Sequence, residues 1–225
     1  MKVSILAVTP CAEAVVATAA HQCVSADDAS DFLIHVDQSR VESIIQKALG
    51  MGHDSILEHA NFTIALSGIS RSLSHQLVRF RIASFAQQSQ RYLKFKGGAF
   101  EFITPPSILN ADPRTLLRYQ LLMAQIGEFY EDALNEGIPA EDARFPVPNA
   151  AATAIVVTMN ARELNHAFSL RCCTHAQWEI REMFWEILNQ VKRLTPLLFI
   201  GAGPSCCKGP CPEGPRNCGR AGLAN

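Results

Sequence analysis

The densest run of side chains able to bind an anion lies between residues 76 and 91. Gln76, Arg79, Arg81, Ser84, Gln87, Gln88, Ser89, Gln90 and Arg91 place guanidinium forks, amides and hydroxyls in one short stretch. If the chain from Arg79 is extended, Arg79 and Arg81 share one face and Phe80 takes the other. Two such forks hold a phosphate or pyrophosphate in bidentate fashion. The amides and hydroxyls that follow suit a sugar and a base, so the ligand class read here is a nucleotide. Neither the G-x-G-x-x-G nor the G-x-x-x-x-G-K-[ST] phosphate cradle occurs at this run. The anion must therefore be held by side chains.

The charge distribution agrees. From His59 to Phe100 there is no Asp or Glu, while Arg71, Arg79, Arg81, Arg91, Lys94 and Lys96 make the window formally +6. The remainder carries −7, because the 225-residue chain sums to −1. A near-neutral total excludes a general electrostatic claim on nucleic acid or membrane, and the asymmetry argues for a local anion site. Arg outnumbers Lys by 14 to 6, which favours bidentate recognition of phosphate or carboxylate. The ordinary alternative is a solvated basic face. A second alternative is a module for single-stranded nucleic acid, since Phe80, Phe85, Tyr92, Phe95 and Phe100 offer stacking surfaces in the same window. That alternative predicts salt-dependent oligonucleotide binding and no chromophore.

These residues need a scaffold, and the composition allows one: 48% apolar and 18% charged residues are typical of globular chains. The pattern predicts one α+β domain over 1–196 and a flexible Cys/Gly/Pro-rich tail over 197–225. Lys2 to Thr9 reads as a strand followed by a helix. A helix is expected over Val36–Leu49, ended by Gly50 and Gly52. Asn61–Leu66 reads as a strand, Ser70–Val78 as a helix, Arg79–Phe85 as extended chain and Phe100–Ile103 as a strand. Asp112 before Pro113 starts a helix that runs to about Asn135. Ala151–Thr158 fits strand or helix, and Asn160–Arg171 fits a helix. Thr174 with Gln177 reads as a capping box for the next helix, whose stripe is Ile180, Phe184, Ile187, Leu188, Val191 and Leu194. Pro196 ends it. Pro10 and Glu13 interrupt the first apolar stretch, and no other run approaches bilayer length, so a cytoplasmic location with reduced thiols is expected.

The string RFRIASFAQQSQRY, Arg79 to Tyr92, resembles the signature R-H-R-x-x-S-x-x-x-x-S-x-R of the flavin-dependent thymidylate synthases. The flanks agree: His53, Ser55, Glu58 and His59 lie before it with SRSLSHQLVR, and NARELNHAFSLR and HAQWEIR follow. The resemblance spans about residues 53 to 194. It implies a central, mainly antiparallel sheet with packed helices. It implies methylation of dUMP to dTMP, with FAD as cofactor and 5,10-methylenetetrahydrofolate and NADPH as co-substrates. It further implies a homotetramer with active sites shared between subunits. A related uridylate one-carbon transfer is the nearby alternative.

The same resemblance implies roles residue by residue. Arg171 matches the arginine set against the pyrimidine, where a fixed guanidinium stabilises charge developing on the ring. Gln76, Arg79, Gln87, Gln88, Ser89, Gln90, Arg91 and Arg144 match positions that hold the nucleotide. Ser55, Arg79, Phe80, Arg81, Gln87, Asn160, Ala161, Arg162 and His166 match positions around the flavin. Asn160 and Arg171 are 11 residues apart, which returns to nearly one helix face. Two positions depart from the signature: Phe80 stands for its middle His, and Gln87 for a frequent Glu. Phe80 loses a ring donor but keeps a flat stacking surface.

Other polar residues have plainer readings. His53, His59 and His75 fit no zinc spacing, so no metal is expected. Ser89 has no His at motif spacing to activate it, so it reads as a hydrogen-bonding group. Trp178 and Trp185 read as core or subunit contacts. Arg162 and Arg171, taken alone, would pair with Glu163, Glu179 or Glu182. Cys172 and Cys173 are expected to pack behind Arg171. Cys206, Cys207, Cys211 and Cys218 find no part in the chemistry and leave a disulfide or metal open.

Overall fold

The computed structural model describes residues 1–95 and 99–220; Lys96 and the last five positions of the expected tail lie outside the described residues. In chain order the elements are β1 (Lys2–Val8), α1 (Ala12–Gln22), α2 (Ala29–His35), α3 (Gln38–Gly50), β2 (Asn61–Ser70), α4 (Arg71–Leu77), β3 (Ala83–Gln87), α5 (Pro106–Leu109), α6 (Pro113–Asn135), α7 (Ala140–Ala143), β4 (Ala152–Asn160), α8 (Ala161–Arg171) and α9 (Trp178–Leu194). The strands form one antiparallel sheet in the order β1-β2-β4-β3, an α+β arrangement as expected.

The two middle strands are built alike. Phe62, Ile64 and Leu66 of β2 are buried in alternation, and so are Thr153, Ile155, Val157 and Met159 of β4. In β2 the alternation changes phase at Gly68, whose φ of +63° is open to glycine, and Ile69 is buried next. Each strand hands directly into a helix through a side-chain cap. Ser70 Oγ accepts from the Leu73 N–H at 3.0 Å, and Asn160 Oδ1 accepts from the Glu163 N–H at 2.8 Å. The first helical N–H then bonds the residue that precedes the other strand: Arg71 N–H to Ala151 O, Ala161 N–H to Ala60 O. An amide that the helix itself cannot satisfy is thus satisfied each time.

The chain divides into two compact units. One comprises residues 1–2, Leu66–Arg79 and Ala86–Val156; the other comprises Val3–Ala65, Phe80–Phe85 and Val157 onward. In the first unit Phe100, Met123 and Ala151 form one buried cluster, and Tyr130, Ala133 and Ala143 form another, with Phe95 packed on both. In the second, α9 lays Ile180, Met183, Phe184, Ile187, Leu188 and Val191 into the interior. Phe168 there meets Phe184 and Phe199 edge to face.

Several local expectations change. Among the described residues the segment Phe100–Ile103 makes one bridge, Phe102 with Ala151, and its pairing stops before Pro105 and Pro106, which offer no N–H. Ala151–Thr158 resolves as strand. Gln177, not Thr174, caps α9: its Oε1 accepts from the Glu179 and Ile180 N–H groups, each at 3.1 Å. Residues Arg79 to Ile82 form a turn and a bend, and extended chain begins only at Ala83. The described tail is packed. Leu198 and Phe199 are buried, Leu197 N–H bonds Glu13 Oε1 at 2.8 Å, and Ser205 Oγ donates to Ser169 O at 3.2 Å. Helix α2 was not legible in the pattern, and neither was the short 3-10 turn Asp54–His59 that carries Ser55 and Glu58.

Candidate active site

In the first unit the nucleotide-class residues fall around the junction of β3 with the turn that follows it. The Gln87 amide donates to Ser74 Oγ at 2.8 Å and to Thr153 Oγ1 at 3.4 Å, so it serves the interior as well as any ligand. Gln88 N–H bonds Ala154 O, and Gln88 O accepts from Arg71 Nη2 at 2.7 Å. Ser89 Oγ accepts from the Arg91 N–H at 3.2 Å and shapes the turn. Gln90 is half-buried. Arg91 Nε reaches Glu141 Oε2 at 3.1 Å, while Arg144, the C-cap of α7, donates to Glu141 O at 3.1 Å. Gln76 donates back to Ser72 O at 3.3 Å, and Arg79 is exposed just beyond α4.

One residue of this cluster was not singled out from the sequence. Arg71, the first residue of α4, is half-buried, and its Nε is buried without a hydrogen-bond partner. Burial and then the nearby charge of Arg144 push its guanidinium below the ordinary arginine range. Like charges held together with an unmet donor are relieved by an anion. Its place in the acid-free window was the only signal available. Glu141, which anchors both Arg91 and Arg144, gave no signal.

In the second unit a cleft of about 850 Å³ opens beside the start of α8, lined by Asn160, Arg162, Glu163 and His166. Asp54, Glu58, Ile82 and Lys208 are also among its lining residues. Its size is that of a site for an extended organic cofactor. Arg162 pairs with Glu58, not with its helix neighbours, and Glu163 is buried. Asn160 spends its side-chain oxygen on the cap and keeps its amide N–H groups. Ala161 is fully buried and contributes backbone alone. Ser55 and Arg81 are exposed beside lining residues Asp54 and Ile82 but are not themselves part of the lining.

Phe80 and Arg171 meet in this unit. Phe80 is buried and packs edge to face on His166 and Phe184, with centroids 6.2 Å and 5.8 Å apart. The Arg171 guanidinium stands 5.7 Å from the Phe80 ring centroid. Arg171 Nε is buried without a partner. Neither Glu163 nor Glu182, the partners Arg171 would take as a lone helix arginine, forms a salt bridge with it among the described residues. Its helix ends on Cys172, whose carbonyl accepts from Trp185 Nε1 at 3.1 Å. Cys172 does pack in the interior, and burial pushes its thiol up to about 12. The stacking platform of the nucleic-acid alternative shrinks to Tyr92 and the half-buried Phe85, since Phe80 and Phe100 are buried and Phe95 packs on Phe100 and Tyr130.

The residues fit a flavin dinucleotide. The cleft has the volume, and Asn160 and Arg162 bring donors to its lining. Among the described residues no three His, Cys, Asp or Glu side chains gather for a metal, and no helix is long and apolar enough to cross a membrane.

Comparison with known proteins bears on this geometry. The family model described as thymidylate synthase complementing protein matches residues 4–197. The flavin-dependent thymidylate synthase of Geobacter sulfurreducens is 48% identical over 221 residues, covering 98% of this chain and 95% of the relative. That of Clostridium tetani is 41% identical over 239 residues, covering 98% and 94%. The crystal structure of a UMP/dUMP methylase from Streptomyces cacaoi, bound with 5-bromo-dUMP, superposes with a TM-score of 0.72 at 22% identity. It covers 88% of this chain and 92% of that one, and shows the shared fold. By the family match and by these identities over nearly its whole length, the chain belongs to the flavin-dependent thymidylate synthase family.

Proposed function

We propose that this protein methylates dUMP to dTMP with FAD as its cofactor, 5,10-methylenetetrahydrofolate as the carbon donor and NADPH as the reductant. The observation that carries the reading is Arg171: a cation held over Phe80 with a buried, unmet Nε, at the end of the helix whose start lines the cleft. Bound flavin supplies the reducing equivalents, and the chain's own residues do the rest.

Arg171 is the catalytic residue. Its guanidinium stabilises negative charge that develops on the pyrimidine, and its burial strengthens that effect. Gln76, Arg79, Gln87, Gln88, Ser89, Gln90, Arg91 and Arg144 hold the nucleotide, with Arg71 adding a donor to its phosphate. Asn160, Arg162 and His166 hold the flavin from the start of α8, aided by the Ala161 backbone. Ser55, Arg79, Phe80, Arg81 and Gln87 complete that set. Phe80, in place of the signature His, offers a flat apolar surface and no proton. Residues 1–196 form the catalytic domain, and 197–225 are a Cys/Gly/Pro-rich appendage whose described part, up to residue 220, packs on it. The working form is a homotetramer in the cytoplasm, with sites shared between subunits.

The test uses the purified chain. It is expected to show flavin absorbance bands that bleach with NADPH, and to convert dUMP to dTMP when methylenetetrahydrofolate is added. Arg171→Ala is expected to lose turnover and keep the flavin bands. Failure to take up added FAD, or substantial turnover by Arg171→Ala, would overturn the reading.

A further inference from the structure

The cysteines that the chemistry leaves aside come together. Cys172, Cys173, Cys206, Cys211 and Cys218 line one recess of about 580 Å³. Two come from the turn after Arg171 and three from the tail. The tail is held there by bonds of its own: His175 Nε2 meets Arg216 O at 2.9 Å, and Ser205 Oγ donates to Ser169 O. The two groups therefore face one recess, although 33 or more positions separate them in sequence. Among the described residues no three ligating side chains gather around one point, so the cluster is read through thiol chemistry.

The thiols differ in kind. Cys172 is buried, and its thiol is held in the neutral form. Cys218 is exposed. The Thr174 hydroxyl first, and then the Arg220 backbone N–H, hold its thiol below the ordinary range, which favours thiolate. Thr174 directly follows Cys173, so the thiol nearest in sequence to the Cys218 contact is Cys173, itself half-buried in the same recess. Arg181 and Arg220 line the recess too and make it attractive to carboxylates.

We propose that this recess is a modification site, in which Cys218 takes up a small anionic disulfide and is then resolved by Cys173. In the first step the Cys218 thiolate attacks one sulfur of R–S–S–R; that S–S bond breaks, RS⁻ leaves, and a mixed disulfide forms. In the second, Cys173 gives its proton to solvent and attacks Cys218 Sγ, and the second RS⁻ leaves. The protein loses two electrons and two protons, and one external disulfide becomes two thiols. The product ties the tail across the turn that follows Arg171.

The test is differential alkylation of the full chain after incubation with oxidised glutathione, read by tryptic mass spectrometry. Cleavage isolates residues 172–181 and 217–220 as separate peptides. The expected product is these two peptides joined, with two of the eight thiols lost. Cys218→Ser is expected to slow thiol loss at least threefold, and Cys173→Ala to stop at one retained glutathione adduct. Uncharged hydroxyethyl disulfide is expected to react severalfold more slowly than oxidised glutathione. A different cross-link, or full thiol loss in Cys218→Ser, overturns the proposal. Equal rates with the two disulfides overturn the anionic selectivity.

Discussion

Replacing Phe80 by Leu while Arg171 is replaced by Met, singly and together, measures the contact on which the catalytic assignment rests. Phe80→Leu keeps most of the buried volume and removes the ring, so the burial loss is small. The ring also meets His166 and Phe184 edge to face, and such pairs contribute about 0.5–1.5 kcal/mol each beyond burial. The single substitution is expected to cost about 2 kcal/mol in all. The part due to Arg171 is isolated by the double-mutant cycle, because the His166 and Phe184 losses cancel in it. A guanidinium 5.7 Å from the centroid lies within the range of a cation–π contact, and at half-burial the coupling is about 1 kcal/mol. The assay is urea unfolding of the four proteins at one protomer concentration, since assembly would otherwise shift the midpoints. In thermal unfolding the coupling corresponds to about 2–4 °C for a chain of this size. A coupling indistinguishable from zero would refute the view that Phe80 fixes the Arg171 guanidinium.

Arg162→Ala is expected to raise the Kd for FAD about tenfold by fluorescence titration, the loss of one charge-assisted hydrogen bond. Its exposed pair with Glu58 adds little to stability, so the unfolding midpoint should move by less than the equivalent of about 1 kcal/mol. Gln87→Ala removes the donor to the buried Thr153 hydroxyl and one partner of Ser74 Oγ, which keeps its bond to Arg71 O; an unfolding cost of about 1 kcal/mol is expected, and a neutral result would show that water replaces the amide. Cys172, pushed up to about 12 by burial first and by Cys207 second, keeps its proton where ordinary thiols have lost theirs. At about pH 9, iodoacetamide should therefore modify the exposed Cys23 and leave Cys172 intact in the folded protein; early labelling of Cys172 would contradict its burial.

Much of this protein is local, and local features could be read directly. Asp112 before Pro113 starts α6, Ser70 and Asn160 cap α4 and α8, and Pro196 follows the end of α9. Each is decided by a residue within three positions of the backbone group it serves. The signature from Arg79 to Tyr92 is likewise contiguous, so the family and the ligand class were legible. The capping box read from Thr174 with Gln177 misplaces the cap by three residues: α9 begins at Trp178, and Gln177 beside it serves the free amides. The run Arg79–Ile82 bends because Phe80 is buried against Phe184 and His166, and that pull comes from α9 and α8.

The sequence by itself determined the chemistry available: an arginine-rich anion window, a flavin-family signature and a set of cysteines with no assigned task. Tertiary structure alone decided the partnerships. Glu58 reaches Arg162 across 104 positions, Glu141 reaches Arg91 across 50, and Gln87 reaches Thr153 across 66. Such pairs follow from how β2 and β4 deliver their helices, and no spacing rule spans that distance. Cys218 comes to the side of Thr174 by the same route, because a tail of turns is held by backbone carbonyls that carry no mark in the sequence.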